Sequence, residues 1–419
     1  MKIAWRTNKK LKPIIILEKM VNISSVAKDG RVSFAGFKKF ELDSILFSMI
    51  DFHKDFSYST SKNFYTASLS RWVAGGLHTA ENFLAELNKE ATQYGKKPLS
   101  EFVVVTSISI EGGFPKSRIE LPLVSIKSWP AGLPKKYHGR FTFDDTWNEE
   151  GSAMPEGYCP VVIKFKAKDG YDGVELALAE LDYVRGLFCL LSNPSFKTSL
   201  GADTTSRLPI NDIMLGGMHT LHRSNGRLFS DDTYWYEPEY TEVKAKRIAA
   251  DKRTSALENF TQLNEKIHTH KDAHVIKESI VRYARAFDGR DKNFALQKTW
   301  AALETLMAPN ENNTDLVVRR CSYMWSEGLY HRQVLEHIKD YRNRSVHTGR
   351  VLDNPSDQCY LLQKYFRQAV LFHASNAVVF KDLREGNEFL DLSDDENELL
   401  RKKFLIEKAI IFIGSMGSK

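Results

Sequence analysis

Arg342-Asn343-Arg344-Ser345-Val346-His347 closes a long amphipathic segment in this 419-residue chain. At three- and four-residue steps, one helical stripe of that segment contains Leu335, Ile338, Arg342 and Val346. Such spacing is typical of an amphipathic helix, so Arg342 stands where the pattern requires an apolar side chain. A guanidinium that faces a packed surface is costly unless it is paired or has a chemical task.

The end of the same helix carries two further side chains that can take part in chemistry. Asn343 and His347 are four residues apart and are therefore neighbours on the adjacent helix face. Gly349 follows and can end the helix. The segment thus predicts a fixed cation, an amide and a proton carrier close together at one helix end.

An arginine with a histidine five or six residues later is a weak pattern by itself. The chain contains it three times, at Arg332/His337, Arg342/His347 and Arg367/His373. Only the middle pair combines an asparagine after the arginine, an arginine on the apolar stripe and a glycine after the histidine. We therefore expect the other two pairs to be structural.

The motif Arg342-Asn343-x-x-x-His347 resembles the signature of the HEPN superfamily of helical RNases. The upstream segment Leu296-Gln297-Lys298-Thr299-Trp300-Ala301-Ala302-Leu303-Glu304-Thr305-Leu306 resembles the helix that precedes this signature in the Apea-like branch. The resemblance covers roughly residues 275–380. It does not extend to the N-terminal half of the chain.

This resemblance implies an all-α HEPN bundle that acts as an endoribonuclease and forms a homodimer, which brings two copies of the motif into one cleft. Apea-like HEPN proteins are associated with bacterial defence against phage by abortive infection. That association implies a toxic RNase that stays silent until a trigger arrives. The N-terminal domain is then expected to sense a phage-derived protein or nucleic acid.

The residue types suit RNA cleavage without a metal or cofactor. The ribose 2′-OH attacks the adjacent phosphate, and the leaving 5′-oxygen must be protonated. His347 titrates near neutral pH and can move such protons. Arg342 stays charged and can stabilise the phosphate oxygens. Asn343 can hold the imidazole or a phosphate oxygen by hydrogen bonds, so these three residues are the predicted catalytic set.

Further candidates surround the motif, each with a simpler alternative. Glu304 is either a surface carboxylate or a partner that fixes Arg342, and an acidic residue on this helix assists the site in some HEPN proteins. Basic residues near the motif could line an RNA path, although a solvated helix face explains any one of them as well. This predicted RNA-binding set is Arg319, Arg320, Lys339, Arg344 and Arg350.

Composition sets broad limits on the class of protein. Hydrophobic residues make up 42% of the chain and charged residues 27%, and 59 Lys and Arg against 53 Asp and Glu give a net charge of +6. The excess is compatible with a polyanionic partner. Four widely spaced cysteines without a C-x-x-C pair indicate reduced thiols and a cytoplasmic protein. No apolar run is long enough for a membrane span, and the sequence contains no P-loop, HExxH or GxSxG motif.

The hydrophobic periods change along the chain and predict an α+β protein. Up to residue 77 the pattern favours short strands, including 12–18 and 31–37, and later strands are expected at 102–110, 118–126 and 160–165. Helices are predicted at 78–93 and 172–191. A mixed α/β domain is therefore expected at 1–245 and the helical HEPN domain at 246–419. The helices predicted for that second domain are 255–270, 274–287, 291–307, 314–326, 330–347, 356–382 and 394–408.

Two functions of other classes remain open. In the first, the helical bundle only dimerises and the N-terminal domain recognises a protein or nucleic acid. In the second, the chain is a HEPN antitoxin-like partner of a nucleotidyltransferase, although the chain itself carries no such domain. Loss of RNA cleavage on substitution of His347 would distinguish the endoribonuclease from both.

Overall fold

The computed structural model describes most of the chain and divides it into two compact units. The described residues are 2–6, 10–53, 56–143, 154–196, 208–230, 233–238, 240–309, 311, 313–348 and 355–416, with only the backbone at 141–143, 346–348 and 416. The first unit comprises 1–103 and 164–176, and the second comprises 104–163 and 177–419. Helix accounts for 57% and strand for 13%, which confirms the predicted α+β class.

Four helices and two small antiparallel pairs of strands build most of the first unit. In the pairs, β1 lies beside β4 and β2 beside β3. In chain order the elements are β1 (Ala4–Trp5), α1 (Pro13–Asn22), β2 (Ser24–Val26), β3 (Val32–Phe34), α2 (Lys38–Ser48), β4 (Ile50–Asp51), α3 (Tyr58–Ala74) and α4 (Ala80–Lys96).

The strand predicted at 12–18 is wrong, because helix α1 occupies this segment. The run from Ile14 to Leu17 is rich in β-branched residues, which favours strands. Pro13, however, stands at the start of the helix, where its fixed φ is suitable and its missing N–H does no harm. The residues that α1 buries are Ile16, Leu17 and Met20, and their spacing is helical. Burial along one helix face therefore outweighs local β propensity.

Helices α2 and α3 were not predicted, because their many polar residues hide the helical period. Helix α3 begins after Ser57, whose hydroxyl accepts a hydrogen bond from the amide of Thr60 at 3.0 Å. Its buried face includes Phe64, Tyr65 and Trp72. These aromatic side chains belong to the core that also contains Phe83 of α4. A serine cap and three buried aromatic residues thus define a helix that polar composition conceals.

A six-stranded sheet and a long helix follow. Strand order in the sheet is β10-β9-β5-β8-β7-β6, with β10 antiparallel to β9 and β7 antiparallel to β6. The elements are β5 (Ser100–Ile108), β6 (Arg118–Glu120), β7 (Val124–Ser128), a 3-10 helix (Lys135–Phe143), β8 (Cys159–Ala167), α5 (Gly170–Ser192), β9 (Met218–Arg223) and β10 (Tyr234–Tyr236). The strand predicted at 118–126 is therefore a hairpin of two short strands.

The region after residue 249 is helical in all its regular elements. Its helices are α6 (Ala250–Thr269), α7 (Ala273–Asp288), α8 (Lys292–Met307), α9 (Thr314–Tyr323), α10 (Gly328–Thr348), α11 (Ser356–Ser375), α12 (Leu383–Leu390) and α13 (Glu396–Met416). Seven of the eight correspond to predicted helices. Helix α12 was not predicted, and α11 ends at Ser375 and not at the predicted residue 382.

Helix α8 lies at the centre of the helical region. Its side chains Trp300 and Leu303 are fully buried, and α7, α9, α10 and α11 all contact it. Tyr283 on α7 stacks on Phe366 of α11, with ring centroids 4.7 Å apart. An apolar helix surrounded by others in this way is the rigid element from which a site can be built.

Helix α5 shares this core, because charged and polar side chains join it to α7. Arg185 is fully buried and donates to Asp182 at 2.6 Å and to both carboxylate oxygens of Asp288, at 2.8 and 2.6 Å. Gly186 on α5 allows a close approach, since a Cβ there would lie 2.9 Å from the side chain of Ile280. The second unit thus includes most of α5 and most of the sheet together with α6–α13. The functional boundary predicted at 245/246 stays a prediction.

No helix in the described part of the chain is both long enough and apolar enough to cross a membrane.

Candidate active site

Helix α10 carries the predicted catalytic motif and is anchored by its apolar stripe. Leu335 and Ile338 are fully buried, as the spacing predicted. Tyr341 is also buried, and its hydroxyl donates to the side-chain oxygen of Asn293 at the start of α8. The last turns of α10 are therefore fixed against α8, where the motif begins.

A second contact fixes the same end of α10. Gln297 on α8 donates from Nε2 to the hydroxyl of Ser345 at 2.9 Å, and Ser345 is buried. The Ser345 side chain lies within the motif between Asn343 and His347 in sequence. Because both partners are on helices, this bond sets the rotation of α10 about its axis relative to α8.

Arg342 occupies the apolar stripe as predicted and is largely covered. Its side chain is 25% exposed, and its Nη2 lies 3.9 Å from a carboxylate oxygen of Glu304 on α8. Its Nη1 donates to the side-chain oxygen of Asn343 at 3.1 Å. Among the described residues its Nε has no hydrogen-bond partner, although that atom is buried. The guanidinium is thus held at one edge, while a quarter of the side chain stays exposed, which suits an anion that arrives from solvent.

Glu304 has a defined orientation of its own. The indole Nε1 of Trp300, one turn earlier on α8, donates to Glu304 Oε1 at 2.7 Å. The other carboxylate oxygen, Oε2, is the one that faces Arg342. Of the two interpretations left open by the sequence, the structure supports a partner of Arg342. Its catalytic contribution stays a prediction.

The remaining catalytic candidate, His347, belongs to the last turn of α10. Its backbone is helical, and its side chain lies outside the described residues. Gly349, the predicted helix stop, lies outside them as a whole. The motif therefore places Asn343 and His347 one turn apart on one helix, and the contact between their side chains remains an expectation from that spacing.

Two of the predicted RNA-binding residues pair with one acidic side chain. Arg320 is buried and donates to both carboxylate oxygens of Asp391, at 2.9 and 2.6 Å, and to the carbonyl oxygen of Met307. Arg319 donates to the same Asp391 at 2.6 Å but remains about half exposed. The position of Arg320 therefore gives it a structural contact between α9 and the end of α12 and does not support an RNA contact.

The other three members of that set differ in how accessible they are. Lys339 is mostly buried and forms ion pairs with Asp315, at 2.8 Å, and with Glu336. Arg344 is exposed and donates to the backbone carbonyl of Asp340, one turn earlier, at 3.3 Å. Arg350 lies outside the described residues. Among the described members, Arg319 and Arg344 are the ones that reach solvent.

The two alternative Arg/His pairs have different surroundings from the motif. His373 is buried, and burial lowers its pKa to about 3, with a smaller effect from the nearby His270 and Arg320. His337 is exposed on α10. A buried neutral imidazole cannot reach an RNA backbone, so a structural role fits His373.

One feature of the structure escaped the sequence analysis altogether. A chain of ionic groups runs from Asp288 through Arg185, Asp182 and Arg285 to Glu237, which also forms a hydrogen bond with His219 at 2.9 Å. Asp182 and Arg185 are buried, and the other three are partly exposed. Three members, Glu237, Arg285 and Asp288, line a cavity of about 300 Å³. The five residues come from three segments, and the contacts that join those segments are long-range, so no local spacing predicts them. Only Asp182 and Arg185, three residues apart on α5, form a local pair. The Trp300–Glu304 contact, by contrast, was visible as an i, i+4 pair.

Comparisons of the chain with protein-family models, with curated proteins and with solved structures gave no match. The HEPN resemblance therefore rests on the motif and its neighbouring helix.

Proposed function

We propose that the chain is a metal-independent endoribonuclease of the HEPN type, with its site at the end of α10. One observation carries the proposal. Arg342 lies on the packed face of α10, and an oriented carboxylate, Glu304, fixes one edge of its guanidinium. An arginine that is three-quarters buried, and whose Nε has no hydrogen-bond partner among the described residues, is costly for folding alone. Stabilisation of an RNA phosphate by Arg342 would account for this arrangement.

The proposed steps follow from the residue types. The guanidinium of Arg342 binds a non-bridging phosphate oxygen and stabilises the charge that develops there when the 2′-OH attacks. His347 donates a proton to the departing 5′-oxygen. The products are a 2′,3′-cyclic phosphate and a 5′-hydroxyl. Asn343 is already bonded to Arg342 and keeps the guanidinium oriented at the helix end.

A single chain offers one arginine and one histidine for two proton transfers. Two copies of the motif in one cleft would supply both an acid and a base, so the proposal includes a homodimer of the helical region. The preceding mixed α/β region is proposed as the sensor of a phage-derived protein or nucleic acid. The proposed setting is the bacterial cytoplasm, where RNA cleavage would abort infection.

The test is expression of the wild-type chain and of His347→Ala in a bacterial host, with recovered RNA mapped for cut ends. New 5′-hydroxyl ends that appear with the wild type and vanish with the variant are expected. His337→Ala, on the exposed part of the same helix, is the matched control and should cut like the wild type. Intact RNA in all three strains, with phage infection included as a trigger, would favour the dimerisation and binding module.

A further inference from the structure

Helix α13 (Glu396–Met416) exposes a large apolar surface. From Leu400 to Ser415 every residue is exposed. Eight large apolar side chains in this stretch are between 45% and 66% exposed, namely Leu400, Phe404, Leu405, Ile406, Ile410, Ile411, Phe412 and Ile413. Isolated helices are marginal in water, so this one requires a partner.

One stripe of α13 has the spacing of a coiled-coil seam. At alternating steps of four and three residues lie Leu399, Lys403, Ile406, Ile410 and Ile413. Leucine and isoleucine occupy four of these five positions. The lysine takes a single seam position, where one polar residue sets the register of a coiled coil at some cost in stability.

One apolar side chain outside the stripe, Phe404, is partly covered within the helix itself. Arg401 and Lys408 lie on either side of Phe404, with their charged groups 5.6 and 5.4 Å from the ring centroid. Their aliphatic stems shield the ring from water while the charges stay solvated. Ile411 and Phe412 are as exposed as Ile410 and Ile413, so the heptad spacing of the stripe from Leu399 to Ile413, and not its exposure, distinguishes it as the contact face.

Charges beside the stripe identify the partner. Lys402 and Glu407 lie on opposite sides of the stripe and are five residues apart in sequence. In a parallel coiled coil, flanking side chains with this separation meet across the interface. When two α13 helices are parallel and in register, Lys402 of each helix therefore lies opposite Glu407 of the other, which gives two ion pairs. An antiparallel arrangement does not form these two pairs.

We infer that α13 is a self-association element that pairs with α13 of a second copy as a parallel, in-register coiled coil. Isoleucine at both kinds of seam position is typical of assemblies with three or more strands, so more than two copies can share the seam. The inference does not depend on RNA cleavage. It concerns a different surface from the end of α10 that carries Arg342.

The first experiment measures the mass of the full chain by sedimentation, with two neighbouring isoleucines of α13 as a matched pair. Ile410 lies in the seam and Ile411 beside it, and they are 66% and 65% exposed. Ile410→Asp is expected to convert the oligomer to a smaller species, whereas Ile411→Asp should leave the mass of the oligomer unchanged. A monomeric wild type, or equal effects of the two substitutions, would overturn the inference.

Crosslinking distinguishes parallel pairing from other modes. The four native cysteines are free and buried, so one introduced cysteine is the accessible thiol among the described residues. Ile410→Cys should form an intermolecular disulfide under mild oxidant, because parallel seam positions bring the two β-carbons within bonding reach. Ile411→Cys should not. No crosslink at position 410 in an oligomeric protein would rule out the in-register seam.

Charge reversal tests the flanking contact. Lys402→Glu places like charges opposite Glu407 and should weaken association about tenfold. The double variant Lys402→Glu/Glu407→Lys restores opposite charges and should recover most of the lost affinity. A double variant as weak as the single one would contradict the parallel arrangement.

Discussion

The guanidinium of Arg342 lies 3.9 Å from the carboxylate of Glu304 and joins α10 to α8, while Trp300 orients that carboxylate from one turn away. Both charged side chains are about one-quarter exposed. The contact therefore lies at the boundary between core and solvent, where a phosphate can approach one side and the helices hold the other.

Arg342→Lys is expected to lower RNA cleavage about a hundredfold, because an ammonium does not reproduce the planar guanidinium against phosphate oxygens. The lysine keeps the positive charge beside Glu304, so thermal stability should change little. The measurement is single-turnover cleavage of a labelled RNA by purified protein. A variant that cuts like the wild type would show that Arg342 supplies only charge.

Glu304→Gln is expected to reduce cleavage about tenfold, since the amide remains close to Trp300 but no longer attracts the guanidinium. If Glu304 only positions Arg342, the pH profile of cleavage should keep its shape while the maximum rate falls. A profile that loses one titration would instead identify Glu304 as a proton carrier. The comparison needs initial rates for both proteins from pH 5 to 9.

The helices of the site were predictable because their apolar residues recur at a helical period over long stretches. Leu335 and Ile338 are buried as that period required, and Arg342 falls on the same face. The pairing of Arg342 with Glu304 was open, since a sequence gives the face of each helix but not the rotation that brings two faces together. Here the Gln297–Ser345 and Asn293–Tyr341 contacts fix that rotation.

The errors near the N-terminus have a different origin. Ile14, Ile15 and Ile16 favour a strand locally, and only their burial against the rest of the first unit makes the segment a helix. In the helical region, Arg320 was predicted as one of a set of basic residues that could line an RNA path beside the motif, and its burial was not predicted. Its bond to Asp391, 71 residues away in sequence, is a long-range contact that no local pattern contains.

Cleavage should need no metal ion, because the 2′-OH is the nucleophile and no bound water has to be activated. Activity should persist in excess chelator, DNA of the same sequence should stay intact, and a 2′-methoxy group at the cut position should block the reaction. The products are identified by their cyclic phosphate and 5′-hydroxyl ends. Cleavage of the DNA strand, or activity only after a divalent metal is added, would refute the proposed chemistry.

Arg185→Ala should destabilise the protein by about 3 kcal/mol, because it removes the cation that the buried Asp182 and the partly exposed Asp288 share and leaves Asp182 paired with Arg285 alone. Urea unfolding followed by circular dichroism measures the loss. Arg384→Ala removes an arginine of an exposed ion pair with Glu388 and serves as the control, with no measurable change expected. Equal stability of the two variants would mean that the buried network carries little of the fold.

Stability should fall in mild acid because of His373. Its pKa in the folded chain is lowered by burial to about 3, against about 6.5 when unfolded. Between these values the unfolded state binds more protons than the folded state, so stability is greatest above pH 6.5 and declines as the pH falls towards 3. From pH 7.5 to pH 5 this one group should cost about 2 kcal/mol.

His373→Leu removes that titration and should flatten the dependence of unfolding free energy on pH over the same interval, although it also alters packing at every pH. The informative quantity is therefore the difference between pH 7.5 and pH 5 within each protein, from urea titrations at both values. His337→Leu, at an exposed position of α10, is the control and should retain the wild-type difference. If His373→Leu keeps the full difference as well, the acid sensitivity arises from other buried groups, of which His222, with a pKa lowered by burial to about 4, is the next to test.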